Sequence, residues 1–141
     1  MRYLGLDLGT KTLGIAISES GVIANSLTTL RHDNDFDYLI SELKNIIEEK
    51  KINVLVLGLP KNMNNTIGER GEMVLNFKEK LSVFSLPVVL EDERLTTKVA
   101  ENILITADVS RKKRKKVIDK MAAVVILQSY LDKGGYDGTK S

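Results

Sequence analysis

The stretch Tyr3-Leu4-Gly5-Leu6-Asp7-Leu8-Gly9 constrains the fold of this chain more than any other. Read with the two-residue period of a strand, Leu4, Leu6 and Leu8 share one face, and Gly5, Asp7 and Gly9 share the other. One face is hydrocarbon. The other carries a single carboxylate between two positions without a Cβ, so a cation or a phosphate can approach the backbone there. Asp is depleted in strands, and a buried, unpaired carboxylate costs several kcal/mol or takes up a proton. Asp7 therefore calls for a compensating partner. Two readings are open: it accepts hydrogen bonds from the Gly9-Thr10 turn, or it is an acidic ligand at the centre of a sheet.

Further along, Leu13 to Ser18 reads as a second strand and Val22 to Leu30 as a third, joined by turns short enough for an antiparallel meander. Asp33 or Asp35 is placed to cap a helix whose Phe36, Leu39, Ile40, Leu43, Ile46 and Ile47 keep helical spacing. Ile52 to Leu57 is almost uninterrupted aliphatic, which fits a parallel strand covered on both faces and stopped by Gly58-Leu59-Pro60. Thr66 to Glu69 has capping-box spacing before a helix with Met73, Val74, Phe77, Leu81 and Phe84 inward. Pro87 to Leu90 is a fifth strand running into Glu91-Asp92-Glu93. A third helix follows Thr96 or Thr97 with Val99 to Ala107 on its apolar stripe, and a last one spans about Val117 to Leu131, apolar nearly all round. The tail from Gly134 reads as frayed. The expectation is one α/β domain over 1–141.

The 141 residues contain 21 Lys and Arg against 19 Asp and Glu, so any affinity for nucleic acid must come from local clusters of charge rather than the net +2. There is no Cys, which excludes disulfides, thiolate metal sites and Cys nucleophiles. The longest apolar run, Met121 to Leu127, is far short of a bilayer span, and a cytosolic protein is expected.

Three acidic features invite chemistry. Asp7 is the first. Asp119 shares a helical stripe with Ala122, Ala123, Ile126 and Tyr130, in the first turn of the last helix, where it either faces the sheet or complements the helix dipole. Glu91-Asp92-Glu93 ends the fifth strand, where such sheets carry ligands, or is a solvated strand end. Together, with one His and no Cys, these acids make a hard oxygen site suited to Mg²⁺ or Mn²⁺. The run Arg111-Lys112-Lys113-Arg114-Lys115-Lys116 ends three residues before Asp119. It is either a solvated surface or a seat for a polyanion beside the acids, with Lys11, Lys61 and Arg94 adding charge at loops of the same sheet end.

Gly5-Leu6-Asp7-Leu8-Gly9 with Gly14-Ile15-Ala16, Gly58-Leu59-Pro60, Asp92-Glu93-Arg94-Leu95-Thr96-Thr97 with Ala100, and Asp119-Lys120-Met121-Ala122-Ala123 with Leu127-Gln128-Ser129-Tyr130-Leu131 resemble the YqgF/RuvX family. Its members are named as Holliday junction resolvases or as nucleases for the precursor of small-subunit ribosomal RNA. The resemblance implies a ribonuclease H-like fold: a five-stranded mixed sheet, three antiparallel then two parallel strands, with helices on both faces. It also implies that Asp7, Glu93 and Asp119 are the catalytic metal ligands, with two ions, Asp7 bridging them, and a cut that leaves a 5′-phosphate. The chain departs from the pattern at Asn64-Asn65-Thr66, where many members have Asp-Gly-Ser or Asp-Gly-Thr.

The expected substrate is structured RNA or branched DNA, recognised by shape through Lys11, Lys61, Arg94, Lys112, Lys113, Arg114, Lys115 and Lys116. Processing of the 5′ end of the 16S ribosomal RNA precursor is favoured over junction resolution, because no exposed apolar helix stripe suggests the dimer that symmetric cutting needs. Two other classes remain: a nucleic-acid-binding module without catalysis, and an ATP-binding half-domain, since Asp7-Leu8-Gly9-Thr10 also looks like the first phosphate loop of the actin, Hsp70 and sugar kinase superfamily.

Overall fold

A computed structural model of the chain describes residues 1–60, 67–93 and 111–136, with the backbone alone for 111–120. Five strands form one sheet: β1 (Tyr3–Leu8), β2 (Thr12–Ser18), β3 (Asn25–Arg31), β4 (Val54–Leu59) and β5 (Val88–Asp92), in spatial order β3-β2-β1-β4-β5. Short turns leave β1, β2 and β3 antiparallel, whereas β4 runs parallel to β1 and β5 parallel to β4. The parallel pairs need crossovers, which α1 (Phe36–Lys50) and α2 (Glu69–Leu81) supply. A last helix, α3 (Arg111–Asp132), completes the described elements. The expected mixed sheet is present, with β1 at its centre.

The alternation in β1 separates two cores. Leu4, Leu6 and Leu8 join Leu55 and Leu57 of β4 against Leu39 and Leu43 of α1 and Val74, Phe77 and Leu81 of α2. On the opposite face, Ala16, Val54 and Val56 meet Ala123, Ile126, Leu127 and Leu131 of α3. All six residues of β4 are buried, as a strand covered on both faces requires.

Several expected boundaries move. β3 starts at Asn25 rather than Val22, because the hydroxyls of Ser18 and Ser20 accept from the N–H groups of Gly21, Val22 and Ile23 and hold them in a turn. β4 continues through Gly58 to Leu59. The N-cap of α2 is Gly68 with no side-chain cap bond, so Glu69 is the first helical residue and the capping box does not form here; Thr66 lies outside the described residues. α3 begins at Arg111, not near 117, since Lys and Arg are good helix formers and no Gly or Pro interrupts them. It buries one stripe only, leaving Met121 exposed. The chain end is tied down as far as Tyr136, whose N–H donates to the Tyr3 hydroxyl at 3.1 Å. The helix expected over 96–107 lies outside the described residues.

Candidate active site

Because β1, β4 and β5 are parallel, their C-terminal ends lie along one edge of the sheet, the usual place for ligands in such architectures. Asp7 is the penultimate residue of β1, and Glu93 directly follows β5. With strands about 4.8 Å apart, β1 and β5 are separated by roughly 10 Å, and Glu93 must cross β4 to reach Asp7. Gly58 makes the crossing possible. A Cβ there would stand 3.0 Å from Glu93 Cγ, 3.2 Å from its Cδ and 2.5 Å from Ile126 Cδ1.

Glu93 hydrogen-bonds Asp7, and the two side chains are 12% and 19% exposed. Burial first, then the hydrogen bond and the repulsion of Asp7, push the Glu93 carboxyl up to about 8, while Arg70 pulls it down. Glu93 therefore holds its proton near neutrality and donates it in the hydrogen bond to Asp7. This is the compensation that a carboxylate near the end of the buried β1 demanded.

Arg70, the second residue of α2, faces the pair. Its Nη2 lies 3.5 Å from Asp7 Oδ1 and 3.7 Å from Glu93 Oε1, and donates to the Leu8 carbonyl at 3.2 Å. On the other side, His32 is buried and supports the turn that follows Asp7. Its Nε2–H donates to the Gly9 carbonyl at 3.0 Å, its Nδ1 accepts from the Asn34 N–H at 3.2 Å, and its ring meets Phe36 edge-on. The neutral Nε2–H tautomer satisfies both bonds.

α3 approaches from the face that carries Asp7. A Cβ on Gly5 would lie 2.7 Å from Leu127 Cβ and 2.9 Å from the Ala123 carbonyl oxygen. Gly5 thus admits a helix, not the ligand expected from its place on the strand. Asp119 precedes Ala123 by one helical turn; its side chain lies outside the described structure. With α3 starting at Arg111, Asp119 is in the helix body rather than its first turn, so the dipole reading does not apply. Glu91 separates from its neighbours and is buried against Lys133 and Ser129.

Among the described residues, no group of three His, Cys, Asp or Glu stands close enough to hold a metal ion; Asp7 and Glu93 come together as a pair. Their chemistry fits a divalent cation: hard oxygen donors, largely buried, and already faced by one positive charge, the Arg70 guanidinium. Lys11 is exposed in the turn after β1, at the same sheet edge. Lys61 and Arg94 lie outside the described residues, and Lys112, Lys113, Arg114, Lys115 and Lys116 belong to the first turns of α3. Sequence reasoning missed Arg70, Gly58 and His32. The first looks like any solvated charge at a helix start, the second like a strand terminator, and the third like a loop residue.

A family model described as RuvX, Holliday junction resolvase, matches residues 1–133. A protein of Geobacillus sp. (strain WCH70) named "Putative pre-16S rRNA nuclease" is 59% identical over 135 residues, 94% of this chain and 98% of its own. The protein of the same name in Bacillus subtilis (strain 168) is 57% identical over the same shares. Among solved structures, RuvC of T. thermophilus in complex with a Holliday junction substrate superposes with a TM-score of 0.58 at 12% identity, covering 95% of this chain and 96% of that one. A ROK family protein from Streptococcus pneumoniae in complex with sucrose reaches 0.53 at 16% identity, but over 78% of this chain and 40% of its own. At such identities both structural likenesses concern the fold alone. The chain belongs to the RuvX/YqgF family of nucleases with the ribonuclease H-like fold.

Proposed function

We propose that this chain is a cytoplasmic, metal-dependent nuclease that hydrolyses phosphodiester bonds in structured RNA and processes the 5′ end of the 16S ribosomal RNA precursor. The observation that carries the reading is the juxtaposition of the Asp7 and Glu93 carboxyls at the C-terminal edge of the sheet, hydrogen-bonded to each other and faced by Arg70. Relatives named for the ribosomal RNA precursor, at 57 to 59% identity over nearly the whole chain, favour that substrate over a DNA junction.

Asp7, Glu93 and Asp119 would hold the cation, Mg²⁺ or Mn²⁺, with two ions as the family resemblance implies. When bound, such ions activate water at neutral pH and neutralise the phosphate. The chain's own part is to supply charge and position. Glu93 releases its proton so that the pair can bind a cation, and Gly58 keeps its carboxylate turned toward Asp7. Arg70 supplies the positive charge that balances the pair before a cation arrives. Lys11, Lys61, Arg94 and the basic start of α3 attract and orient the phosphate backbone, which fixes position without reading sequence.

The test is a cleavage assay on a 16S precursor fragment and on a four-way DNA junction, with wild type and Glu93→Gln in Mg²⁺ and Mn²⁺. The expected result is shortening of the RNA by wild type alone. Paired symmetric cuts in the junction with intact RNA would overturn the RNA assignment.

A further inference from the structure

Beside Asp7, on the α3 side of the sheet, a cavity of about 40 Å³ is lined by Thr12, Ser26, Thr28, Thr29 and Ala123 together with Asp7 itself. Its chemistry differs from that of the carboxylate pair. Four Ser and Thr residues line it, and among the described residues no cationic one does. It is large enough for a hydroxyl and an accompanying water, and too small for a base.

An irregularity in the sheet borders the pocket. Thr29 lies opposite Gly14, Thr28 opposite Ile15, and Ser26 opposite Ala16, so β3 contributes one extra residue, Leu27, where the register shifts. Bulges of this kind occur often beside active sites, and here the three residues around the irregularity, Ser26, Thr28 and Thr29, all line one cavity. All four hydroxyl residues are exposed, and none of their hydroxyls has a hydrogen-bond partner among the described residues. Gly14, which lacks a side chain between Asp7 and Ala123, leaves the pocket open toward the carboxylate. From the Gly14 row to the Ala16 row is one pleat repeat, about 7 Å, the scale of a single nucleotide step away from Asp7.

We propose that this pocket receives a ribose 2′-hydroxyl of the strand being cut, so that Thr12, Ser26, Thr28 and Thr29 select RNA over DNA beside the Asp7 centre. The hydroxyl acts as both donor and acceptor, as do Ser and Thr, whereas a deoxyribose offers the lining no hydrogen-bonding group at that position. The inference rests on the nuclease reading and adds to it the group that distinguishes the substrate.

The test uses a 16S precursor fragment cut by the wild type, into which single 2′-deoxynucleotides are placed in turn on either side of the cut. Wild type and a Ser26→Ala/Thr28→Val/Thr29→Val variant are compared, Val being chosen because it keeps strand propensity; a Thr12→Val variant is run alongside. The expected result is one flanking position where the deoxy substitution slows wild type by about 2- to 10-fold, the worth of a neutral hydrogen bond. In the variants, the all-ribose RNA is cut more slowly by a similar factor and the deoxy penalty at that position disappears. A wild type indifferent to every deoxy position, or a penalty that persists in folded variants, overturns the pocket while leaving the nuclease reading standing. Failure of wild type to cut the all-ribose RNA overturns both.

Discussion

Glu93 reaches across β4 to hydrogen-bond Asp7, a residue 86 positions earlier in the chain. Neither strand end alone makes a site. The parallel order β1-β4-β5 sets them at one edge, and a glycine in the middle strand lets the longer carboxylate fold over it.

This pairing makes the metal-free protein sensitive to pH. Glu93 binds its proton up to about pH 8 in the folded chain, against an ordinary value of 4.5. Between those limits the folded state holds a proton that the unfolded state has released, so stability falls as pH rises through the window. Each pH unit inside it is worth at most about 1.4 kcal/mol. Urea unfolding in chelator, from about pH 5 to about pH 8.5, is expected to show this decline in wild type and a flatter profile in Glu93→Gln. Parallel profiles for the two proteins would contradict the raised value.

Arg70→Met removes the cation that faces both carboxylates. In chelator, at neutral pH, the variant is expected to melt below wild type, and the gap to close on addition of Mg²⁺. Calorimetric titration is expected to show tighter Mn²⁺ binding by the variant, because no guanidinium competes for the pair. Weaker binding would instead make Arg70 part of the metal site's support.

Gly58→Ala places a methyl 2.5 Å from Ile126 Cδ1 and 3.0 Å from Glu93 Cγ. Overpacking of this kind costs about 1–3 kcal/mol, read as a lower urea midpoint. Because the same methyl pushes Glu93 away from Asp7, cleavage is expected to fall by about 100-fold, more than the stability loss alone would produce. Activity within a factor of about two of wild type would separate Glu93 from the chemistry.

His32→Ala leaves the Gly9 carbonyl without its partner and removes the edge-on contact with Phe36. The expected loss is about 2 kcal/mol, from the unpaired acceptor and the lost ring together. A change below about 0.5 kcal/mol in denaturant unfolding would make the contact incidental.

The architecture was legible because its signals are periodic. Alternating Leu and Gly in β1, the unbroken aliphatic β4 and the helical stripes of α1 and α2 each have one low-energy use in a layered sheet. Asp7 stood out for a related reason, since charge in a strand that is otherwise buried has to be explained, whereas Glu93, just past β5, was singled out from its acidic neighbours only by the family resemblance. What escaped was whatever depends on cross-strand distance. Gly58 ends nothing; its missing side chain matters only once Glu93 is known to pass over it. Arg70 is unremarkable in α2 until β1 and β5 are placed beside it. The bulge at Leu27 leaves no mark in the amino-acid pattern, since Thr28 and Thr29 suit a regular strand equally well.

The most direct test of the account is the cleavage rate of purified Asp7→Asn on a 16S precursor fragment, in Mg²⁺ and in Mn²⁺, beside its circular dichroism melt. The amide keeps the shape of the side chain and can still accept a hydrogen bond from Glu93, but it removes the charge that a cation needs. The expected result is a cooperative melt like that of wild type with cleavage reduced to background in both metals. Wild-type cleavage by a folded Asp7→Asn protein would contradict the assignment of the β1 carboxylate to the reaction.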